Sequence, residues 1–324
     1  MKRAGFIVVL AVVLAVTACQ RRPPEKTAEQ KAAEEAVALN AGVEAYGRAE
    51  YDAAAAAFRK LAEAGNAAAE NNLGRMYQDG KGVPQNFEEA AKWYRMAADK
   101  GQGEARNNLG VLYENGDGIA QSVEDALTLY RLAAEQGRPE AQVNLGRLNF
   151  DGLGVPQNYA EALRLFQAAA EKGNAAAEFN LGLMYFNGQG VMKDLPEAVK
   201  WYRMASDQGL ADAEYNLAAA YEDGQGVMRD YAEALKWYRA AAEQGMGQAQ
   251  NNVARMYAGG RGVPEDAVKQ HMWYSLALSS LTGDEAKRAE DYRDGLEAEM
   301  SDNDIMRAKT LAVQCRESNF KNCE

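Results

Sequence analysis

Histidine, cysteine and positive charge are all scarce in this chain of 324 residues. The single histidine, His271, allows neither a multi-histidine metal site nor a Ser/His/Asp set around any other histidine. Its segment "HMWYSLAL" predicts a packed or half-exposed helix residue. Three cysteines are too few for a disulfide-dense scaffold. A net charge of −11 repels a phosphate backbone, so we expect no nucleic-acid partner. No motif in the sequence predicts a metal or cofactor site.

Long apolar runs are also missing. The longest, from Phe6 to Val16, follows a positively charged start and is shorter than the roughly 20 residues that a membrane helix needs. It predicts a secretory signal peptide over residues 1–18. The segment "VTAC" at its end resembles the lipobox of bacterial lipoproteins, which implies acylation of Cys19. An ordinary signal peptide that happens to contain a cysteine is the alternative.

The residues after Cys19 predict where the protein is held. Lipoproteins retained at the inner membrane usually carry Asp at the next position, and Gln20 therefore favours the outer membrane. Residues 19–36 contain no large apolar side chain and are predicted to form a flexible tether. We expect a lipid-anchored protein of the bacterial cell envelope that faces the periplasm, with the anchor as its sole membrane contact.

Most of the remaining chain follows one 36-residue period. An Asn-Leu or Asn-Val pair, a Gly-x-Gly segment and an aromatic or leucyl pair each recur six times in register. The asparagines of this row are Asn72, Asn108, Asn144, Asn180, Asn216 and Asn252. Within each unit, apolar residues spaced i, i+4, i+7 predict two amphipathic helices.

The glycine pairs, such as Gly80 and Gly82, are candidates for a phosphate-binding loop. They join helix to helix, however, whereas phosphate loops join strand to helix. They are therefore predicted to end the first helix of each unit. Preferred N-cap residues begin the second helix in every unit: Asn86, Ser122, Asn158, Asp194, Asp230 and Asp266. An acidic residue three positions later in five units can reach back to the cap amide.

These markers together resemble the Sel1-like repeat (SLR) family, a relative of the tetratricopeptide repeat. The family pattern of Ala, Leu-Gly, Tyr, Gly-x-Gly-Val, Ala, Trp-Tyr, Ala-Ala and Gly matches residues 67–282. Four departures stand out: Ala218 and Ala254 replace a glycine, Asn149 replaces the tyrosine, and Leu281 replaces the last glycine. The resemblance implies an all-α fold, a right-handed α-solenoid of tetratricopeptide-like helix pairs.

The sequence predicts further helices at both ends of the array. Residues 37–66 resemble a shorter tetratricopeptide-like pair, and residues 283–324 resemble the capping helices and two-cysteine tail of envelope members of the family. That resemblance implies a disulfide between Cys315 and Cys323 in a compartment where disulfides persist.

A solenoid offers an extended concave surface, which favours a protein-protein interaction scaffold with an unidentified protein or peptide partner. By analogy with tetratricopeptide arrays, the first helices line that surface. An apolar stripe interrupts their polar residues, and we expect it to form the binding groove: Val143, Phe150, Phe179, Leu183, Phe186 and Tyr215. Phe150 has a second interpretation, namely that it turns inward to replace the aromatic side chain missing at position 149.

Two recurring rows have competing interpretations. The Asn row either binds an extended backbone or links neighbouring repeats as a ladder. The tryptophans Trp93, Trp201, Trp237 and Trp273 could form a stacking row, but Leu129 and Leu165 fill the same position, which favours core.

Two functional alternatives are open. One is an accessory factor that binds cell-wall glycan or regulates cell-wall enzymes. The other is a penicillin-binding or other hydrolase, suggested by Ser301-Asp302-Asn303 and by Ser318-x-x-Lys321. These motifs stand in the wrong order and the Lys-Thr-Gly element is missing. The carboxylates are predicted on caps and outer faces, so the sequence predicts no enzyme.

Overall fold

The computed structural model describes residues 27–321 and Cys323, and within these residues the secondary structure is entirely helical. The helices are α1 (Ala28–Gly47), α2 (Tyr51–Glu63), α3 (Ala67–Asp79), α4 (Phe87–Asp99), α5 (Gly103–Asn115), α6 (Val123–Glu135), α7 (Pro139–Asp151), α8 (Tyr159–Ala170), α9 (Ala175–Asn187), α10 (Leu195–Asp207), α11 (Ala211–Asp223), α12 (Tyr231–Glu243), α13 (Gly247–Ala258), α14 (Ala267–Ala277), α15 (Gly283–Glu297) and α16 (Asp302–Glu317). None of these sixteen helices has the length and hydropathy that crossing a membrane requires.

The helices stack as antiparallel pairs, and each pair packs on the next along the chain. Repeats 1 to 6 are the pairs α3–α4, α5–α6, α7–α8, α9–α10, α11–α12 and α13–α14. The pair α1–α2 precedes them, and α15 and α16 both pack on α14 after them. The predicted all-helical solenoid is confirmed.

The helix boundaries agree with the local sequence signals. All six predicted N-cap side chains accept a backbone hydrogen bond from the residue three positions later. The acidic side chains at that later position do not reach back to the cap amide. Glu161 instead pairs with Arg164, and Glu197 pairs with Lys200, one helical turn on.

The two glycines of each loop have different structural roles. Gly80, like its equivalents in repeats 2 to 5, ends the first helix in the left-handed conformation. The second glycine also has positive φ, and it lies against the start of the preceding second helix. A Cβ at Gly226 would come within 2.3 Å of the Leu195 backbone. The loop is therefore a packing element between repeats.

The N-terminal boundary differs from the prediction. Residues 28–36, predicted as part of a flexible tether, form the first turns of α1, where the predicted pair was to begin at residue 37. Thr27 and Gln30 form a capping box, with hydrogen bonds of 3.2 and 3.0 Å between each backbone amide and the other side chain. The segment is rich in Ala, Glu, Gln and Lys, which are strong helix formers even without a buried face. Residues 1–18, which the sequence predicts to be a signal peptide, and residues 19–26 of the predicted tether lie outside the described residues.

The C-terminal end is closed by a disulfide between Cys315 and Cys323, whose Cα atoms lie 4.7 Å apart. Both cysteines are buried and pack into the same apolar cluster as repeats 5 and 6. The tail is thereby held against the end of the solenoid.

Candidate functional site

The position that begins the predicted stripe changes its chemistry along the array. Asn71 and Asn107 occupy it in repeats 1 and 2, followed by Val143, Phe179 and Tyr215. The Asn row responds to this change. Asn108 Nδ2 donates to Asn71 Oδ1 at 3.1 Å, and Asn144 Nδ2 donates to Asn107 Oδ1 at 3.0 Å. These bonds form the predicted ladder between neighbouring repeats.

The ladder stops where its acceptor becomes apolar. Asn180 and Asn216 instead donate to backbone carbonyls of their own helices, at 2.7 Å in each case. Asn252 accepts from Arg255, three residues further on. Asn72 has no earlier Asn partner in register, and its side chain forms no hydrogen bond with a residue that the structure describes. The ladder therefore links the first three repeats, and the apolar stripe begins where it ends.

All six residues of the apolar stripe are half-buried, so the stripe is less exposed than the sequence suggested. The rings of Phe179 and Phe186 lie 5.9 and 6.4 Å from the Tyr202 ring, and Tyr215 lies 5.5 Å from the ring of Tyr238. Leu183 lies between the two phenylalanines on α9. One side of each side chain thus packs on the second helix of its own repeat, and part of it stays in contact with solvent.

Val143 and Phe150 continue the stripe in repeat 3. The Phe150 ring packs edge-on against Tyr159 at 5.1 Å, and both stripe residues contact the apolar cluster of repeats 3 and 4.

A tyrosine hydrogen bond that recurs in other repeats is missing at Phe186. In repeats 1, 2 and 5, the second-helix tyrosine donates its hydroxyl proton to the residue sixteen positions earlier, with distances of 2.7 to 2.9 Å. The acceptors are Gln78, Glu114 and Glu222. In repeat 4 the acceptor position holds Phe186, and the buried Tyr202 hydroxyl has no partner among the described residues. Burial raises the pKa of Tyr202, so this hydroxyl stays protonated and keeps a proton to donate.

Three carboxylates are buried, which the sequence did not predict. Glu70, Glu178 and Glu214 lie at the same position of repeats 1, 4 and 5 and are at most 5% exposed. Each is held by the side chain thirty residues later: Lys100, Gln208 and Gln244 respectively. Burial raises the pKa of Glu178 and of Glu214. The 36-residue period contains the information for this contact. The residue thirty positions after each glutamate lies at the end of the second helix of the same repeat.

His271 has a triad-like environment that the sequence did not indicate. Its Nε2 lies 2.6 Å from Glu297 Oε1, and its Nδ1 lies 3.3 Å from Ser275 Oγ. Glu297 also accepts from Lys309 Nζ at 2.9 Å. The hydrogen bonds from His271 and Lys309 lower the pKa of Glu297 to about 2. His271 is fully buried, so the group joins α14, α15 and α16 rather than facing a substrate.

The two motifs that resemble those of penicillin-binding enzymes lie at opposite ends of one helix, α16. Ser301 is the N-cap of α16 and accepts from the Asp304 amide, whereas Ser318 is the C-cap of the same helix. Sixteen residues at about 1.5 Å each separate them by roughly 24 Å. Among residues 27–321 and 323, no group of three His, Cys, Asp or Glu is arranged to hold a metal ion.

The tryptophans divide into two environments. Trp237 and Trp273 are buried in the core, whereas Trp93 and Trp201 are half-buried against the apolar clusters beside their repeats. All four contact the core, which favours packing over a stacking row.

Comparison with known proteins identifies the repeat. The family model described as Sel1 repeat matches residues 67–102, 103–137, 139–174, 175–210, 211–246 and 247–280. A Sel1 repeat protein from Oxalobacter formigenes is 34% identical, with 76% of this chain and 98% of that chain covered and a TM-score of 0.67. The protein c5321, a protective antigen with an SLR fold from uropathogenic Escherichia coli, is 27% identical, with 90% and 72% covered and a TM-score of 0.51. No curated protein matches. The six matched units, their helix pairs and these structural relatives show that the chain belongs to the Sel1 repeat family.

Proposed function

We propose that this protein is a non-enzymatic scaffold that binds a protein or peptide partner along its apolar stripe. Sel1 repeat solenoids are commonly protein-protein interaction scaffolds. The stripe gives this chain a specific surface: six half-buried apolar side chains, aligned on the first helices of repeats 3 to 5. Aromatic anchors of this kind dominate the binding energy of many interfaces.

The unsatisfied Tyr202 hydroxyl is the observation that supports the proposal most directly. A buried hydroxyl without a partner costs about 1–3 kcal/mol of folding free energy. A glutamine or glutamate at position 186 would remove that cost, as the equivalent residues do in repeats 1, 2 and 5. Local violations of this kind are expected at functional sites, where a side chain serves binding instead of stability. Phe186 fits that description.

The decisive variant is Phe186→Gln. The new amide can accept the Tyr202 proton as Gln78 accepts that of Tyr94, so we expect the unfolding free energy to stay within about 1 kcal/mol of wild type. The loss of an aromatic anchor should weaken a captured envelope partner by about 2 kcal/mol or more, roughly thirtyfold in Kd. Affinity capture from envelope extracts, followed by titration of the purified partner, measures this.

A matched control separates binding from stability. Gln78→Phe removes the acceptor from Tyr94 in repeat 1, outside the stripe. We expect it to destabilise the fold by about 1–3 kcal/mol and to leave partner affinity unchanged. Equal affinity of wild type and Phe186→Gln for the partner would reject the stripe as the docking surface. Sedimentation with purified cell walls would reveal direct glycan binding, if the scaffold assignment fails.

The location is a second part of the proposal. Cys19 carries the acyl chains of a bacterial lipoprotein, and the solenoid faces the periplasm from the outer membrane. The lipobox-like "VTAC" and Gln20 support this assignment.

Replacing the lipidated residue tests the anchor. Cys19→Ser should move the protein from the membrane fraction to the soluble fraction and abolish palmitate labelling, because the acyl chains supply the hydrophobic anchor. Unchanged membrane fractionation of this variant would contradict the proposal.

A further inference from the structure

A tyrosine–arginine contact recurs at the junctions between repeats. The tyrosine near the end of a first helix accepts a hydrogen bond from the arginine eighteen residues earlier, on the preceding second helix. The pairs are Arg59–Tyr77, Arg95–Tyr113, Arg203–Tyr221 and Arg239–Tyr257. In the last three the guanidinium also lies over the ring, 5.5 to 5.8 Å from its centroid. The phenol thus fills the space between two successive second helices.

Repeat 3 has the arginine and lacks the tyrosine. Asn149 occupies the tyrosine position, and its Nδ2 turns back to donate to the Leu145 carbonyl at 2.8 Å. Arg131, eighteen residues earlier, is exposed, and its guanidinium forms no ion pair or hydrogen bond with any residue that the structure describes. Phe150 does not replace the missing ring, since it packs against Tyr159. The alternative interpretation of Phe150 is therefore wrong.

A cavity of about 520 Å³ opens at this junction, between α6, α7 and α8. We call it the Asn149 cavity. It is lined by Arg131, Gln142, Leu145, Asn149, Glu161 and Arg164, among others. The equivalent space one repeat earlier, which contains Tyr113, measures about 390 Å³. Both spaces are open to solvent on one side, and the one at Asn149, where the residues equivalent to Tyr113 and Arg106 are the shorter Asn149 and Gln142, is larger by about 130 Å³.

One polar group of the Asn149 cavity complements a hydroxyl group. At the other junctions the tyrosine oxygen accepts a hydrogen bond from the arginine of the preceding second helix, and Arg131 holds that position here. A phenol oxygen at the ring position can accept from Arg131 in the same way. Gln142 Oε1 is also buried without a donor, but the equivalent Gln250 Oε1 is unpaired although Tyr257 is present, so we do not assign the phenol to it. The buried Leu145 provides an apolar floor for a ring.

The charged groups at the rim disfavour an anion. Arg164 is held by Glu161 through two hydrogen bonds, of 2.9 and 2.6 Å, so its charge is already neutralised. The exposed Glu135 lines the same cavity as Arg131 and adds a negative charge there. A neutral aromatic ring with one hydroxyl is the chemistry that this arrangement fits.

We propose that the Asn149 cavity binds a 4-hydroxyphenyl group supplied in trans, occupying the place that tyrosine occupies at the other junctions. A tyrosine side chain of a partner protein and a free small phenol both carry this group. The site lies between second helices and is distinct from the apolar stripe on the first helices.

The probe is p-cresol, titrated into the purified full-length protein and followed by protein-observed NMR, with toluene as the isostere without the hydroxyl. We expect saturable p-cresol binding with shifts at residues of the cavity, and at least tenfold weaker binding of toluene. Asn149→Tyr fills the cavity with the chain's own phenol, so it should weaken p-cresol binding at least tenfold and raise the melting temperature. Absence of saturable binding up to about 10 mM would overturn the proposal, as would unchanged binding to Asn149→Tyr.

Two further variants test the chemistry. Arg131→Leu should remove the preference for p-cresol over toluene while leaving toluene binding intact, whereas a retained preference would overturn the role of Arg131. The reciprocal change Tyr113→Asn should create a second p-cresol site at the preceding junction. If it fails to fold, Asn149→Tyr still decides the proposal. A blocked Gly-Tyr-Gly peptide identifies the source: binding comparable to p-cresol indicates a partner's tyrosine, and binding of p-cresol alone indicates a free phenol.

Discussion

At the scale of single residues, three side chains join the last repeat to its cap. His271 on α14, Glu297 on α15 and Lys309 on α16 meet at one carboxylate. His271 is fully buried, so it depends on Glu297 to satisfy its Nε2. The arrangement converts three helices from separate elements into one closing unit.

Glu297→Ala should therefore destabilise the C-terminal cap. Loss of the acceptor leaves a buried imidazole nitrogen unpaired, at a cost of about 1–3 kcal/mol near neutral pH. The pKa of Glu297 is lowered from its ordinary 4.5 to about 2 in the folded state. Its contribution is therefore fully present above about 4.5 and is lost as the pH falls towards 2.

Denaturant unfolding of wild type and Glu297→Ala between pH 7 and pH 2 measures this difference. A gap in unfolding free energy that narrows with acid supports the ion-pair assignment. A gap that is constant over this range would mean that the carboxylate acts through packing alone.

At the scale of elements, the loop between the two helices of a repeat contacts the previous repeat directly. Its second glycine combines positive φ with a close approach to a neighbouring helix, as at Gly226 against Leu195. Gly209, at the end of α10, also has positive φ (79°), but a Cβ there would meet nothing within 4 Å. A comparison of the two positions distinguishes the cost of the backbone conformation, which both share, from the cost of the steric clash, which only Gly226 has.

Gly209→Ala and Gly226→Ala form a matched pair. Both place alanine in the left-handed region, which costs about 1–2 kcal/mol. Gly226→Ala must also displace the loop from the Leu195 backbone, so we expect a total loss of about 3 kcal/mol or more. Chemical denaturation monitored by circular dichroism measures both, and losses of equal size would show that the loop contact has no energetic role.

At the scale of the whole molecule, an array of repeats gains its stability from contacts between neighbours, and its ends need closing. The chain closes its N-terminal end with the capped helix α1 and its C-terminal end with α15, α16 and the disulfide. The disulfide spans eight residues. In the chain-entropy estimate, a loop of this length stabilises by about 2–3 kcal/mol.

Peptide mass mapping without reductant should recover a cross-linked Cys315–Cys323 peptide from protein made in an oxidising compartment. Reduction should lower the stability of the cap by about 2–3 kcal/mol and leave repeats 1 to 3 unaffected, because contacts in the array are between neighbours. Two thiols that alkylate freely in the native protein would contradict the assignment.

The sequence by itself determined the repeat length, because the same residues recur every 36 positions. It also determined the helix pairs, the six N-caps and five of the six glycine ends, because these depend on residues a few positions apart. The sixth glycine end is wrong, since α13 ends one residue earlier, with Gly259 as its C-cap at negative φ. Tertiary structure decided which contacts the recurring residues make. Asn108 and Asn180 occupy the same position of the period, yet Asn108 bonds to the previous repeat and Asn180 to its own helix. Arg95 and Arg131 also share a position, and Arg95 alone has a tyrosine to bind. In each case the outcome depends on a side chain 18 or 37 residues away, brought into contact by stacking of the repeats.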